Sequence, residues 1–313
     1  KPKRGIIQPL IKRAGIFPST AEAKKMQTNK QTADAGKDSV IYQANEGITV
    51  NEGLTLEQAR TVSLDVFKAN FYDLGEDVRQ IATRRAEEIT NEYLKKLQIE
   101  DERLIEKTVD PDIRYNLFEV QKAYARFGDK EMSNLLVDVL VQRTKEDVSF
   151  PRIVLNEALT VIPKLTKLQI DILTLLYLVE TVGYINPTYQ TISTFYEDLM
   201  APCLDDRLLP DNEYFYLNLQ SCGCVAIILG VKRDLAEVFH KKFKGKYPDL
   251  ETINQEIRNT PKLDAFEKSW SGKSVFNRGT LSSVGVAIGL INFNSIRGSK
   301  FKMDTFIFEY LNE

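Results

Sequence analysis

Three cysteines and the single histidine are the residues whose types would suit a metal. Cys203, Cys222, Cys224 and His240 could offer three thiolates and one imidazole to a tetrahedral zinc ion. The Cys-x-Cys pair lacks the paired C-x-x-C spacing of zinc knuckles, and it adjoins the apolar run Val225-Ala226-Ile227-Ile228-Leu229. We therefore interpret these cysteines as small buried hydrophobic residues and predict no metal and no cofactor.

Two other motifs would carry chemistry only if they were more complete. A Ser-His-Asp or Cys-His mechanism would have to use His240, which lies beside Lys241 and Lys242 in a predicted amphipathic helix. The triplet Gly272-Lys273-Ser274 ends like a phosphate-binding loop, but the earlier glycine is replaced by Glu267. No catalytic residue is predicted, and an enzyme assembled from scattered carboxylates and lysines stays an alternative.

A polar stripe on one predicted helix is a candidate binding face. Tyr115, Glu119, Lys122 and Arg126 are spaced so that they share one side of a helix. The simpler interpretation is a ladder of ion pairs, or a contact with a neighbouring helix, in which each pair contributes a few tenths of a kcal/mol. We favour the ladder or the helix–helix contact over a binding face.

The charge is distributed unevenly along the chain. The whole sequence has a formal net charge of −2, whereas residues 1–37 hold nine Lys/Arg and two Asp/Glu, so a basic arm precedes an acidic body. The candidate contacts to an anion or a partner in this arm are Lys1, Lys3, Arg4, Lys12, Arg13, Lys24 and Lys25. Such side chains bind phosphates without sequence choice, but many basic arms are solvated or bind proteins.

The composition is that of a globular protein: 43% of residues are hydrophobic and 27% are charged. The few unpaired cysteines favour a reducing compartment, and we expect a cytoplasmic protein. The most apolar run, Ile170 to Ile185, contains Asp171 and Glu180, so it is predicted to be a core helix and not a membrane span.

The spacing of apolar residues predicts about seven helices between residues 55 and 209, joined by short connections. Their beginnings are marked by Thr55 with Gln58, Asp110-Pro111, Asp129 and Thr166 with Gln169, and one further helix opens around Ser149 and Pro151. Thr188 to Leu199 is also predicted to be helical. The fold class is therefore mainly α, a multi-helix bundle or array, followed by a small α+β winged-helix-like module.

Four segments follow from this pattern. They are a basic arm (1–37), a short β-prone segment (38–54), a helical domain (55–209) and an α+β winged-helix-like domain (210–313). In the last, a helix is predicted to end at Gly223, a β-prone run follows, and the residues 301–311 resemble a final strand. The segment Asp38 to Val50 either pairs with a strand edge of another subunit or partner, or remains a flexible linker.

Several stretches resemble an uncharacterised bacterial family known only by locus-tag names. They are SLDVFKANFYDL (63–74), RAEEIT (85–90), DPDIRYNLFEVQKAYARFGD (110–129), LLVDVLVQRTK (135–145), IVLNEALTVIPKLT (153–166) and LSSVGVAIGLINF (281–293). The Ser-Cys-Gly, β-prone and Leu-Ser-Ser-Val-Gly pattern of the C-terminal part is also similar to abortive-infection proteins of the Abi-alpha type. These resemblances imply a bacterial defence or stress setting and no catalytic residues.

The sequence therefore predicts a non-enzymatic interaction or regulatory protein that acts by self-association or through a protein partner. A nucleic-acid-binding protein that uses the basic arm and the winged-helix-like tail is the alternative.

Overall fold

The computed structural model describes residues 54–69, 75–180, 191–201, 211–219, 222–227, 232–243, 246–272 and 276–298. These ranges are mainly helical, as predicted. The basic arm, the β-prone segment and the predicted final strand at 301–311 lie outside the described residues, and the proposed domain boundaries stay predictions.

Six helices form the first part of the described structure. They are α1 (Leu56–Ala69), α2 (Glu76–Glu100), α3 (Pro111–Phe127), α4 (Lys130–Lys145), α5 (Ser149–Val161) and α6 (Lys167–Glu180). A 3₁₀ segment, Glu102–Val109, connects α2 to α3. The connections between these helices are short, and each helix from α1 to α4 packs against the helix that follows it.

The predicted capping residues begin these helices. Thr55 and Gln58 exchange hydrogen bonds of 2.9 and 3.2 Å between side chain and backbone, and Thr166 makes the same exchange with Gln169. The Asp110 carboxylate accepts from the backbone nitrogen of Asp112 at 2.8 Å. These bonds satisfy N–H groups that have no partner within the first helical turn.

Shorter elements form the second part. They are α7 (Ile192–Phe195), which continues as a π-helical turn, α8 (Asp211–Leu217), β1 (Val225–Ile227), α9 (Leu235–Lys242), α10 (Leu250–Asn259), α11 (Pro261–Gly272), β2 (Gly279–Leu281) and α12 (Ser283–Arg297). Strands β1 and β2 pair antiparallel, with Val225 opposite Leu281.

The helix predicted to end at Gly223 ends earlier, at Leu217. The Asn218 carbonyl accepts from the backbone nitrogens of Cys222 and Gly223, both at 3.0 Å, which turns the chain toward β1. Gly223 has a φ of +72°, a conformation that favours glycine. This turn replaces the last helical turn that the sequence pattern indicated.

Helix α12 was not predicted. It contains most of the stretch LSSVGVAIGLINF (281–293), whose β-branched residues favour a strand and whose glycines disfavour a helix. The chain is helical there because Ser282 caps the start and α12 packs closely on α6. A Cβ added at Gly289 would lie 2.7 Å from the carbonyl oxygen of Leu173, so glycine permits the close approach.

A continuous hydrophobic core extends from α1 to α12. Helix α6 lies at its centre, because every residue from Gln169 to Val179 is buried. Among the helices of the described ranges, none combines the length and the hydropathy that crossing a lipid bilayer requires.

Candidate interaction surface

Several exposed apolar side chains lie where helices of the first part begin or end. They are Ile99, Val109, Val148, Phe150 and Ile153, and each is between 50% and 72% exposed. We call these five residues the apolar end surface. Ile99 is near the end of α2, Val109 precedes α3, and the other three surround the start of α5. Clustered exposed apolar residues often mark interaction sites.

Ion pairs hold these chain ends side by side. Lys107 Nζ lies 2.8 Å from the Asp147 carboxylate, which links the segment before α3 to the one before α5. Lys145 Nζ, at the end of α4, lies 3.0 Å from Glu100 at the end of α2. Since both pairs are solvent-exposed, they position the helix ends more than they stabilise the fold.

A polar network lies at the same end and joins three helices. The guanidinium of Arg143 is buried, pairs with Asp112 and donates from Nε to Asn156 Oδ1 at 2.7 Å. The Asn156 amide donates to both oxygens of Asp112, at 3.1 and 3.3 Å. Asn116 donates to Asn156 Oδ1 at 3.0 Å. The network therefore fixes the beginning of α3 and the middle of α5 against the end of α4.

Asp112 is the part of this network that reaches solvent, with 44% of its side chain exposed. Burial raises the pKa of Asp112. The hydrogen bonds from Arg143 and Asn156 and the positive charges of Arg143 and Arg152 lower this pKa by more, so the net shift is downward. The carboxylate thus stays ionised at neutral pH. It adds a fixed negative charge beside the apolar end surface.

The predicted polar stripe is on α3, and its members are not all joined. Lys122 Nζ contacts both Glu119 oxygens at 2.8 and 3.1 Å and lies 5.3 Å from the Phe118 ring centroid. Tyr115 is 62% exposed, and the guanidinium of Arg126 lies over the Phe127 ring. One ion pair of the expected ladder is present, and a role in binding stays untested.

The predicted metal candidates are only partly described, because Cys203 lies outside the described residues. Cys222 and Cys224 are buried, and burial raises the pKa of Cys224 to about 12, which favours the neutral thiol. His240 is on α9 and half-buried. Within the described part of the chain, no three potential metal ligands converge. Gly272 ends α11, while Lys273 and Ser274 are not described.

A buried charged cluster was missed by the sequence analysis. Arg233 donates to Glu180 Oε1 at 2.7 Å, and the backbone nitrogen of Leu281 donates to Oε2 at 3.3 Å. Lys242 donates to the Leu178 carbonyl oxygen at 2.6 Å, and burial lowers its pKa to about 7. The cluster joins α6 to α9 and β2. The Leu-Tyr-Leu-Val-Glu run that ends α6 was a signal for it, since a carboxylate that closes an apolar helix needs a partner.

The sequence analysis also missed the apolar end surface. Phe150 and Ile153 lie off the buried face of α5, which carries Val154, Leu155 and Ala158. Phe150 is four residues before the buried Val154, so helical periodicity alone places it near the buried face, and only the packing of α5 shows that it is exposed. The seven basic arm residues lie outside the described ranges, so the structure does not place them.

Comparison with known proteins gives one match. A family whose description is only a locus-tag name of the "-like" type matches residues 53–258, about two-thirds of the chain. No curated protein and no solved structure matches. Four of the residues that build the polar network, Asp112, Asn116, Arg143 and Asn156, lie within the matched range. The chain belongs to this uncharacterised, locus-tag-named family.

Proposed function

We propose that this protein is a non-enzymatic interaction protein that self-associates through the apolar end surface. The observation that carries the proposal is the exposure of five apolar side chains on helix ends that ion pairs and a buried network hold in place. Removing apolar area from water contributes about 25 cal/mol per Å², so such side chains are natural centres of an interface.

The charges around this surface favour a second copy of the same chain. Lys107 and Arg152 are basic, whereas Asp110 and Asp147 are acidic, and all four lie on the segments that carry the apolar residues. In a twofold dimer the same patch meets itself, so a rim that carries both signs can pair with its own copy. A rim of one sign would instead select an oppositely charged partner.

Replacing Phe150 and Ile153 together by Glu should abolish self-association. Burying two new carboxylates on each side of a twofold interface is costly, so we expect the multimer of the unmodified chain to become a monomer. Mass measured by sedimentation or light scattering at about 100 µM would show the change, a concentration at which even a weak dimer of about 10 µM Kd is populated.

Val78→Glu is the matched control, because Val78 is an exposed apolar residue of α2 outside this surface. It should leave the mass unchanged. The proposal is wrong if the unmodified chain is monomeric at this concentration. It is also wrong if Val78→Glu dissociates the multimer equally.

We also place this activity in a bacterial, cytoplasmic stress or phage-defence setting. The support is the likeness of the chain's motifs to a bacterial family and of its C-terminal part to Abi-alpha-type proteins. This is an association of sequences and supplies no mechanism.

Nucleic-acid binding is the second candidate function. It is favoured by the excess of seven positive charges in residues 1–37. The order α8, β1, three helices and β2, with β1 antiparallel to β2, is compatible with a winged-helix-like module. Against it stands the acidic character of the rest of the chain.

Replacing the seven named arm residues by Gln tests this candidate. If they contact phosphates, their loss should reduce the slope of log affinity against log salt by about six, since each contact contributes about 0.9. Fluorescence anisotropy with a labelled DNA duplex between 50 and 200 mM salt measures this slope. Binding that does not depend on salt, or that is absent at the lowest salt, would eliminate the candidate.

A further inference from the structure

A cavity of about 280 Å³ opens between the beginnings of α4 and α6 and the end of α12. Its apolar lining residues include Leu135, Ile170 and Ile296. Its polar lining residues are Asp129, Glu131, Asn134, Lys167, Asn292 and Ser295. Small-molecule sites commonly combine an apolar wall with a few convergent polar groups.

Asn292 is the polar group that points to a ligand. The residue is only 7% exposed. Its amide nitrogen donates to Thr174 Oγ1 at 2.8 Å, and that hydroxyl itself donates to the Ile170 carbonyl oxygen at 3.0 Å. The amide orientation is therefore fixed, because Thr174 can only accept from Asn292. Within the described part of the chain Oδ1 has no hydrogen-bond donor, and it is the acceptor left to face the cavity.

The charges of the cavity leave a net negative potential. Lys167 Nζ lies 2.6 and 2.7 Å from the two oxygens of the buried Asp171, so these two charges compensate each other. Asp129 uses one oxygen to accept from the backbone of Met132. Among the described residues no cation pairs with Glu131, which is exposed at the mouth. A ligand would thus meet the carboxylates of Asp129 and Glu131 and the amide oxygen of Asn292, beside the neutral polar side chains of Asn134 and Ser295.

We propose that this cavity binds a small aliphatic primary ammonium compound, such as a diamine. The ammonium group donates to Asn292 Oδ1 and to the Glu131 carboxylate, and the alkyl chain packs on Leu135, Ile170 and Ile296. An ammonium group carries a positive charge and three donors, which fits two carboxylates that no cation compensates among the described residues and a free amide oxygen. The site is separate from the apolar end surface and does not depend on the proposed self-association.

Isothermal titration of the full chain with 1,5-diaminopentane at about 20 mM salt tests the proposal, because low salt preserves attraction between exposed charges. We expect saturable binding at one site per chain. Binding of the uncharged 1-pentanol should be at least about tenfold weaker, because it lacks the charged hydrogen bonds. Glu131→Gln should weaken diamine binding about fivefold to tenfold, the magnitude of one partly exposed ionic hydrogen bond.

Glu106→Gln is the matched control, since Glu106 is an exposed carboxylate on the 3₁₀ segment before α3. It should leave the affinity unchanged. A second variant, Asn292→Ser, removes the amide oxygen and should weaken binding while thermal unfolding shows that the chain remains folded. No saturable heat at millimolar diamine, or equal losses in the Glu131 and Glu106 variants, would overturn the proposal.

Discussion

Replacing Arg143 by Ala should lower the free energy of unfolding by about 1–3 kcal/mol, the cost of leaving the partners of a buried hydrogen-bonding group unsatisfied. The guanidinium is only 5% exposed and bonds Asp112 and Asn156. Its loss would leave Asn156 Oδ1 with one donor fewer and Asp112 without its counter-charge, at the junction of α3, α4 and α5. Chemical denaturation followed by circular dichroism measures the change.

Arg103→Ala is the control for this variant. Arg103 also pairs with an aspartate, Asp101, but its side chain is 87% exposed. Exposed pairs of this kind contribute little to stability, so the free energy of unfolding of the control should remain close to that of the unmodified chain. If the free energy of unfolding falls by the same small amount in both variants, the network around Arg143 does not hold the three helices together.

We expect the second large loss of stability from a substitution at the contact between α6 and α12. Gly289→Ala places a methyl group 2.7 Å from the Leu173 carbonyl oxygen and 2.8 Å from Tyr177 Cβ. Since the first neighbour is backbone, the helices must move apart, and overpacking of this kind costs about 1–3 kcal/mol. A thermal unfolding scan should show a lower midpoint.

Gly272→Ala is the control substitution. It lies at the end of α11, and nothing is within 4 Å of the added atom. Alanine is favoured over glycine in a helix, so stability should stay unchanged or rise by up to about 1 kcal/mol. An unchanged midpoint for Gly289→Ala would mean that α6 and α12 pack less closely than described.

Local signals explain why most helices of the first part were predictable. The capping side chains bond backbone groups only two or three residues away, so a short stretch of sequence is enough to predict them. They are Thr55, Asp110, Asp129 and Thr166. Helix α12 differs because its β-branched residues and glycines disfavour a helix locally, and packing on α4, α5 and above all α6, far away in the chain, makes the helix favourable. Tertiary contacts of this kind override local propensity.

The candidate surface was less predictable for a related reason. Asp112, Arg143 and Asn156 belong to three helices, and single-sequence patterns do not show which helix ends meet. Phe150 and Ile153 have the same chemistry as core residues, so only the rotation of α5 against its neighbours reveals that they face outward. The polar stripe on α3 was found because its spacing lies within one helix.

The central position of α6 has a consequence for synthesis of the chain. Asn292 on α12 bonds Thr174 on α6 across 118 positions of sequence, so the covering helix is made long after the helix that it covers. At about 5–20 residues per second, the ribosome needs on the order of ten seconds to supply it. During that interval one apolar face of α6 lacks its final neighbour. In nascent chains of this protein, the apolar face of α6 is therefore exposed for a time. During that time chaperones can bind it, and aggregation competes with folding.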